Sequence, residues 1–439
     1  MVNAFDPSSL ATLPPSAQRT VQRRIQLLGP AYRLFYQTPV EVCRGEGVWL
    51  FDSQGEQYLD AYNNVASVGH AHPRVAAAVA EQMKVLCTHT RYLQDGILDY
   101  AEQLLATFGG SMTEHGHMMF TCTGSEANDL AMRIAKKRTG RRGIIVTSEA
   151  YHGNSELTAG FSPSLGKHSP LGTWVRQVPT PDSYRLDAKG MGEWFAGKVQ
   201  EQIDDLERHG DGLAAFIADS VFSSDGIYSH PIDLLGPVAE VVRKAGGIFV
   251  ADEVQSGFGR TGDALWGYQR HGVAPDIVTM GKPMGNGFPV AAIAIKPEVL
   301  ADFASDTRYF NTFGGNTVAI AAAQATLNVI QEEKLQENAR EVGEFLRDGF
   351  WELAKRHDRI GDVRGAGLFI GVELVKDRDT KQPDPQTAAA LVNGLRERRV
   401  LISATGYHAN TLKIRPPLVF QRSHAERLLS EVDSLLSNS

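Results

Sequence analysis

Cysteine is nearly missing from this chain, whose 439 residues include only Cys43, Cys87 and Cys122. They are odd in number, scattered and without CxxC spacing, which argues against a disulfide framework and for a reducing compartment. Positive charge is also short, with 44 Lys plus Arg against 51 Asp plus Glu. That balance leaves no electrostatic footprint for nucleic acid and makes a small molecule the expected partner. No run approaches the ~18 uninterrupted apolar residues of a membrane span, and MVNAFDPSSLATLPPSAQRT has no basic-then-apolar leader pattern, so a cytoplasmic location without a membrane partner is expected. GxxxxGK(S/T) is absent, which removes a Walker loop from consideration. Histidine pairs occur in GHAHP (His70, His72) and HGH (His115, His117). With no Cys or acidic partner nearby, they are expected to hold no metal.

Hydrophobic residues at 42% and charged residues at 22% fit an ordinary globular protein rather than a disordered one. The length exceeds the ~250–300 residues at which a single core stops growing, so two domains are expected. The first two dozen residues read as an arm, ordered only if it docks. VEVCRGEGVWLFDSQGEQYLD reads as short strands with Gly-containing turns, followed by a helix from Pro73 to Val85. RGIIVTSE, AAFIADSVF, GGIFVADEV, DIVTMG and VAAIAIK are candidate strands alternating with helical segments. Such alternation favours a mostly parallel sheet with helices on both faces and ligands at the carboxyl ends of the strands. After Gly315 two long amphipathic helices are expected, then a second alternating domain.

The chemistry concentrates at those strand ends. Asp252 closes one apolar strand and Lys282 follows the next, so the two side chains can converge. By position alone Lys282 reads as a solvated surface lysine. Flanked by glycines and partly desolvated, its amine would instead be freed to attack an aldehyde. Asp252 would be costly to bury unpaired, and a protonated pyridine nitrogen is a fitting partner. In FTCTGSEANDLAMRIAKKRTG, a Gly-Ser turn opens a helix whose N–H groups, with the hydroxyls of Thr123 and Ser125, make a phosphate cradle. The plainer reading is a helix N-cap by Ser125. Tyr151 and His152, in SEAYHGNS, form an aromatic pair at a strand end, suited either to stacking on a flat ring or to the core.

Together, TGSEAN, YHG, ADEVQSGFGRTG, DIVTMGKPMGNGFP and YFNTFGGN resemble the signature set of the class III aminotransferases, in the fold-type I group of pyridoxal phosphate enzymes. The similarity runs from about Pro39 to Val419. It implies an α/β fold: a large domain with a central, mostly parallel seven-stranded sheet flanked by helices, plus a smaller α+β domain. The implied division is an N-terminal arm with part of the small domain over 1–62, the large cofactor-binding domain over 63–325 and the small domain over 326–439. It also implies that Lys282 forms the Schiff base with pyridoxal 5'-phosphate and shuttles the proton. Asp252 would pair with the pyridine nitrogen, Gln255 would touch the ring hydroxyl, Thr123, Gly124 and Ser125 would hold the phosphate, and Tyr151 would stack on the ring. Thr312 would reach the cofactor phosphate of a neighbouring subunit, in a homodimer or dimer of dimers with sites at the interface.

LGPAYRLFY, LDAYNNVASVGHAHP, THTRYLQDGILDYAEQL and GDVRGAGLFIGVELVKD are similar to one branch, the phospho-lyases of ethanolamine phosphate or phosphohydroxylysine. The expected activity is therefore elimination of phosphate from a small phosphorylated amine, leaving an aldehyde and ammonia. The rival is an ω-aminotransferase that passes the amino group to pyruvate, glyoxylate or 2-oxoglutarate, and a third reading is a non-catalytic descendant. Arg415 resembles the family arginine that clasps a carboxylate and could clasp phosphate, with Asn64 and Arg91 as further substrate candidates. Two positions depart from pattern: phospho-lyases often have lysine where Arg415 stands, and Asp219 stands where many relatives have glutamate.

Overall fold

A computed structural model describes residues 3–438. The five apolar runs read as strands form Gly143–Thr147, Leu213–Asp219, Ile248–Asp252, Ile277–Met280 and Ala291–Ile295. With His117–Thr121 and Val175–Val178 they make one seven-stranded sheet. Across it the strands run His117, Ala291, Ile277, Ile248, Leu213, Gly143 and Val175, naming each by its first residue. The five from Ile277 to Val175 are mutually parallel, and only Ala291–Ile295 runs antiparallel to its neighbours.

Helices cover both faces, which is why these strands are continuously apolar rather than alternating. Ala127, Leu130 and Ile134 of helix Gly124–Thr139 pack on Ile144, Ile217, Val250 and Ile293. On the opposite face Phe195 and Val199 of helix Met191–Arg208 and Val238 of helix Leu235–Lys244 pack on Phe216 and Phe249. Register sets Asp219 beside Asp252, and Asp252 beside Thr279, three residues before Lys282. The parallel sheet thus delivers two carboxylates and the lysine to one edge.

Two smaller sheets complete the architecture. Val42–Glu46, Trp49–Asp52 and Gln57–Asp60 pair in sequence, and Val400–Leu401 adds to Gln57–Asp60 in parallel, joining the two ends of the chain. Ile360–Ala366, Phe369–Asp377, Thr411–Ile414 and Ser403–Thr405 form an antiparallel sheet with Gln382–Pro383 at the side. The division expected at 325/326 falls inside the continuous helix Thr317–Glu332 and would cut it. That helix is less amphipathic than expected: nine of its 16 residues are buried, because it packs within the main core with Met284. The arm is ordered on its own contacts. Helix Pro15–Leu28 shares a small core of Phe5, Leu13 and Val21, and Tyr36 N–H donates to Asn3 O at 2.7 Å.

One expectation about the histidines is corrected. His70 and His72 do have acidic neighbours, His70 Nε2 lying 2.7 Å from Asp60 Oδ2 and His72 Nε2 3.5 Å from Glu333 Oε1. Those two are brought there by chain reversal, whereas His115 has Glu114 beside it in sequence, its Nε2 3.7 Å from Glu114 Oε2. Among the described residues no cluster of three or more His, Cys, Asp or Glu could hold a metal, and no helix is long and apolar enough to cross a membrane.

Candidate active site

At the carboxyl edge of the large sheet lies a cavity of 130 Å³. Eight residues singled out in the sequence line it: Gly124, Ser125, Tyr151, His152, Asp219, Asp252, Gln255 and Lys282. Asn128, Gly153 and Val254 join them.

Lys282 opens the short turn Lys282–Gly285 with φ of 39°. A non-glycine residue in that region costs about 1–3 kcal/mol and persists where the surroundings enforce it. The enforcement is visible at Gly281, where a Cβ would lie 3.2 Å from Ala291 Cβ and 3.4 Å from Gly124 N. Strand end and helix start are therefore pressed together. Among the described residues Lys282 Nζ has no hydrogen bond or ion pair. Burial, then the charge of Arg415, draw its amine down from 10.5 to about 8, against the opposing pull of Asp252 and Asp219.

Asp252 is 4% exposed. Its Oδ2 accepts from His152 Nδ1 at 2.7 Å and from Asn128 Nδ2 at 2.9 Å, and its Oδ1 accepts from Val254 N–H at 3.0 Å. His152 is therefore not the second half of a stacking pair with Tyr151. It is 3% exposed and turned beneath Asp252, with Nε2 unpartnered. Tyr151, at 37% exposure, is the ring left open on the cavity wall. Asn128 and His152 come from helix and loop positions remote from Asp252 in sequence, so only the YHG motif hinted at either.

Helix Gly124–Thr139 starts at the cavity. Its N-cap is Thr123, whose Oγ1 accepts from Glu126 N–H at 3.2 Å, and not Ser125. Ser125 Oγ instead accepts from Asn154 N–H and donates to Asn154 Oδ1, each at 3.1 Å. With Gly124 and Ser125 on the wall, the positive end of the helix dipole meets the cavity. Gly124 cannot be larger without a shift, because its Cβ would lie 3.0 Å from both methyls of Val254.

Beyond Gln255 lies a second group. Arg415 Nη1 donates to Gln255 Oε1, and its guanidinium carbon sits 4.6 Å from the centre of the Tyr62 ring. Asn64 Nδ2 donates to Gln255 O at 3.5 Å, while Asn64 Oδ1 and Arg415 Nε have no partner. Lys413, which the sequence reading passed over, is 7% exposed and donates to Ser223 O at 2.9 Å. The alternation of strand Thr411–Ile414 was the available signal, since positions two apart share a face. Burial and the charges of Arg415 and Lys282 push the Lys413 amine well down. Neither Lys413 nor Arg415 forms an ion pair among the described residues. The shorter acid Asp219 caps its own loop, accepting from Val221 N–H at 3.0 Å and Ser223 N–H at 3.2 Å.

Thr123, Asn64 and Arg415 adjoin residues of the cavity wall without lining it, and two further candidates lie away from it. Arg91 is exposed and lies over the Phe310 ring, 3.7 Å from its centre. Thr312 is exposed in the same region and lines no part of its own chain's cavity.

A desolvated lysine, an anchored carboxylate and a helix N-terminus around one cavity suit a phosphorylated aromatic aldehyde. The class-III aminotransferase family pattern matches residues 34–436, and the chain belongs to that family. It is 40% identical over 429 residues to an alanine-glyoxylate aminotransferase 2-like protein of Drosophila melanogaster, covering 94% of this chain and 86% of that one. It is 37% identical over 442 residues to ethanolamine-phosphate phospho-lyase homolog 1 of Caenorhabditis elegans, covering 96% and 94%. A solved phospholyase from Arthrobacter in complex with phosphoethanolamine superposes with a TM-score of 0.92 at 42% identity, covering 96% of this chain and all of that one. A related amine transaminase was solved in its pyridoxal-phosphate-bound form. The fold is the fold-type I architecture, and the chain is a pyridoxal-phosphate-dependent enzyme.

Proposed function

We propose that this enzyme is a phospho-lyase that eliminates phosphate from a small phosphorylated amine such as ethanolamine phosphate. The observation that carries the reading is the pair of buried basic side chains, Lys413 and Arg415, without a carboxylate ion-pair partner among the described residues. A buried guanidinium is costly unless neutralised, and a dianionic phosphate would neutralise it and favour the protonated form of Lys413. The phosphoethanolamine bound by the Arthrobacter phospholyase and the worm relative support the same substrate class.

Pyridoxal phosphate, when bound, supplies an aldehyde that takes up the substrate amine and a ring that accepts the electron pair left when the neighbouring carbon loses its proton. Lys282 Nζ, neutral above its lowered pKa, is the base that takes this proton. Asp252, fixed by three donors, presents its carboxyl group to the cavity. The N-terminus of helix Gly124–Thr139 would hold the cofactor phosphate, and Tyr151 would cover the ring. Arg415 and Lys413 would hold the distal phosphate so that its C–O bond lies parallel to the π orbitals, the geometry elimination requires. Breaking that C–O bond and adding one water yields phosphate, ammonia and an aldehyde.

Incubating the holoenzyme with ethanolamine phosphate and no oxo-acid is expected to release phosphate, ammonia and acetaldehyde in equal amounts. No phosphate release, with amino transfer to pyruvate or 2-oxoglutarate instead, overturns the proposal. That second reading, an aminotransferase, draws on Arg415 as a carboxylate clasp and on the fruit-fly relative.

We also infer a homodimer in which Thr312 serves the partner's cavity. Met83, Val85, Leu86, Tyr92, Leu93, Phe310 and Phe313 are all exposed, Leu93 fully. So much exposed apolar surface on neighbouring segments suits an interface. Light scattering is expected to give twice the 47.9 kDa chain mass or a multiple of it, and a monomer at micromolar concentration overturns the inference.

A further inference from the structure

The histidine of GHAHP has a partner that the reaction does not use. Asp60, the last residue of strand Gln57–Asp60, is 1% exposed. Its Oδ1 accepts from Tyr62 N–H at 3.0 Å and from Asn63 N–H at 2.9 Å, and its Oδ2 accepts from His70 Nε2 at 2.7 Å. His70 is itself held by backbone bonds to Gly47 in both directions, at 2.7 and 3.1 Å. Gly45 leaves room for it, since a Cβ there would lie 2.7 Å from His70 Cβ.

The segment closed by this pair is a strap across the site. Ala61 O accepts from Arg415 N–H at 3.0 Å, and Tyr62 lies under the guanidinium. Asn64 reaches Gln255 O, Ser67 Oγ donates to Pro283 O at 3.0 Å, and Ser67 O accepts from Leu418 N–H at 2.7 Å. Val68 N–H donates to Asn286 Oδ1 at 3.0 Å. One loop therefore touches the residues flanking Arg415 and the turn that carries Lys282, and Asp60 with His70 fixes where it begins and ends.

We propose that Asp60 and His70 are positioning residues that set Arg415 for the anionic end of the substrate, acting through Ala61 and Tyr62. This rests on the reading of Arg415 as a substrate-facing cation. A charge-assisted hydrogen bond is worth enough that its loss changes binding by about tenfold or more. The strap's contacts to the Lys282 turn run through Ser67 and Val68, at the His70 end, so loss of the Asp60 carboxylate at the other end leaves the chemistry less exposed.

The experiment is a steady-state comparison on holoenzyme with ethanolamine phosphate. Asp60→Ala is expected to raise KM about tenfold while kcat stays within about threefold, and Asp60→Asn, which keeps an acceptor for both N–H groups but turns its NH₂ toward His70, to restore only part of it. In an Arg415→Met background, Asp60→Ala is expected to add nothing further to KM, because its route is already gone. Gly45→Ala, which displaces the His70 ring, is expected to raise KM likewise and carries the test if Asp60→Ala fails to fold. Unchanged KM in both variants overturns the proposal, as does an effect that persists in the Arg415→Met background. If the wild-type enzyme releases no phosphate, the phospho-lyase reading fails separately, and the same coupling is read in the KM of the amine donor for amino transfer.

Discussion

Lys282→Ala is expected to abolish measurable turnover, a loss of about 10⁴-fold or more, because it removes both the covalent anchor and the base. Borohydride treatment of the wild-type holoenzyme should leave the reduced cofactor on the peptide containing position 282, and the variant should carry none. Turnover within tenfold of wild type would show that another group takes the proton. The pH dependence of cofactor uptake tests the environment of the same amine. Only the neutral amine attacks an aldehyde, and burial lowers the Lys282 value from 10.5 to about 8. Uptake by the apo-protein should therefore rise with pH and level off just above 8, where an ordinary lysine would still be gaining. Arg415 is the second cause of that lowering, so in Arg415→Met the plateau should move to higher pH.

The residues that could be found in the sequence were those whose position in an element carries their meaning. Asp252 ends an apolar strand too short and too continuous to be anything but buried, so its charge had to be explained, and Lys282, a surface lysine by position alone, took its meaning from that company. Thr123 and Gly124 stood out for the same reason at a helix start, although which hydroxyl caps the helix depended on rotamers the sequence does not encode, and Thr123 rather than Ser125 does so. What stayed hidden are contacts made by folding back. Asn128 and His152 lie 124 and 100 positions from the carboxylate they hold, and no local pattern distinguishes such a donor from any helix Asn or loop His. Lys413 was hidden in plain view, because a lysine in a strand two residues from a candidate arginine reads as an edge charge until the loop at Ser223 is seen to cover it. His70 was dismissed for want of an acid nearby, and its acid lies ten positions back, across a chain reversal.

The same three bonds to Asp252 make its replacement informative. Asp252→Asn is expected to lower kcat by about 10³-fold while borohydride still fixes the cofactor to Lys282. Part of the damage would be structural. The carboxylate accepts from His152, Asn128 and the Val254 N–H, and it can take all three because it is acceptor-only. An amide of the same shape has one accepting end. With its oxygen toward His152 and Asn128, its NH₂ meets the Val254 N–H, and flipped, it meets two donors instead. Either way a buried donor is left unpaired, at about 1–3 kcal/mol, so a lower melting temperature of the apo-protein is expected. That loss alone would reduce the folded fraction and leave the rate constant of each intact site unchanged. The fall in kcat comes from charge, since each pKa unit by which the carboxylate raises the ring nitrogen is worth about 1.4 kcal/mol of the protonated form. Asn128→Ala separates the two effects: it removes a donor and keeps the charge, so a comparable drop in melting temperature should accompany a loss in kcat of no more than about tenfold. Should Asp252→Asn turn over within tenfold of wild type per cofactor-loaded site, the carboxylate would be a structural acceptor and not the counter-charge on which the electron sink depends.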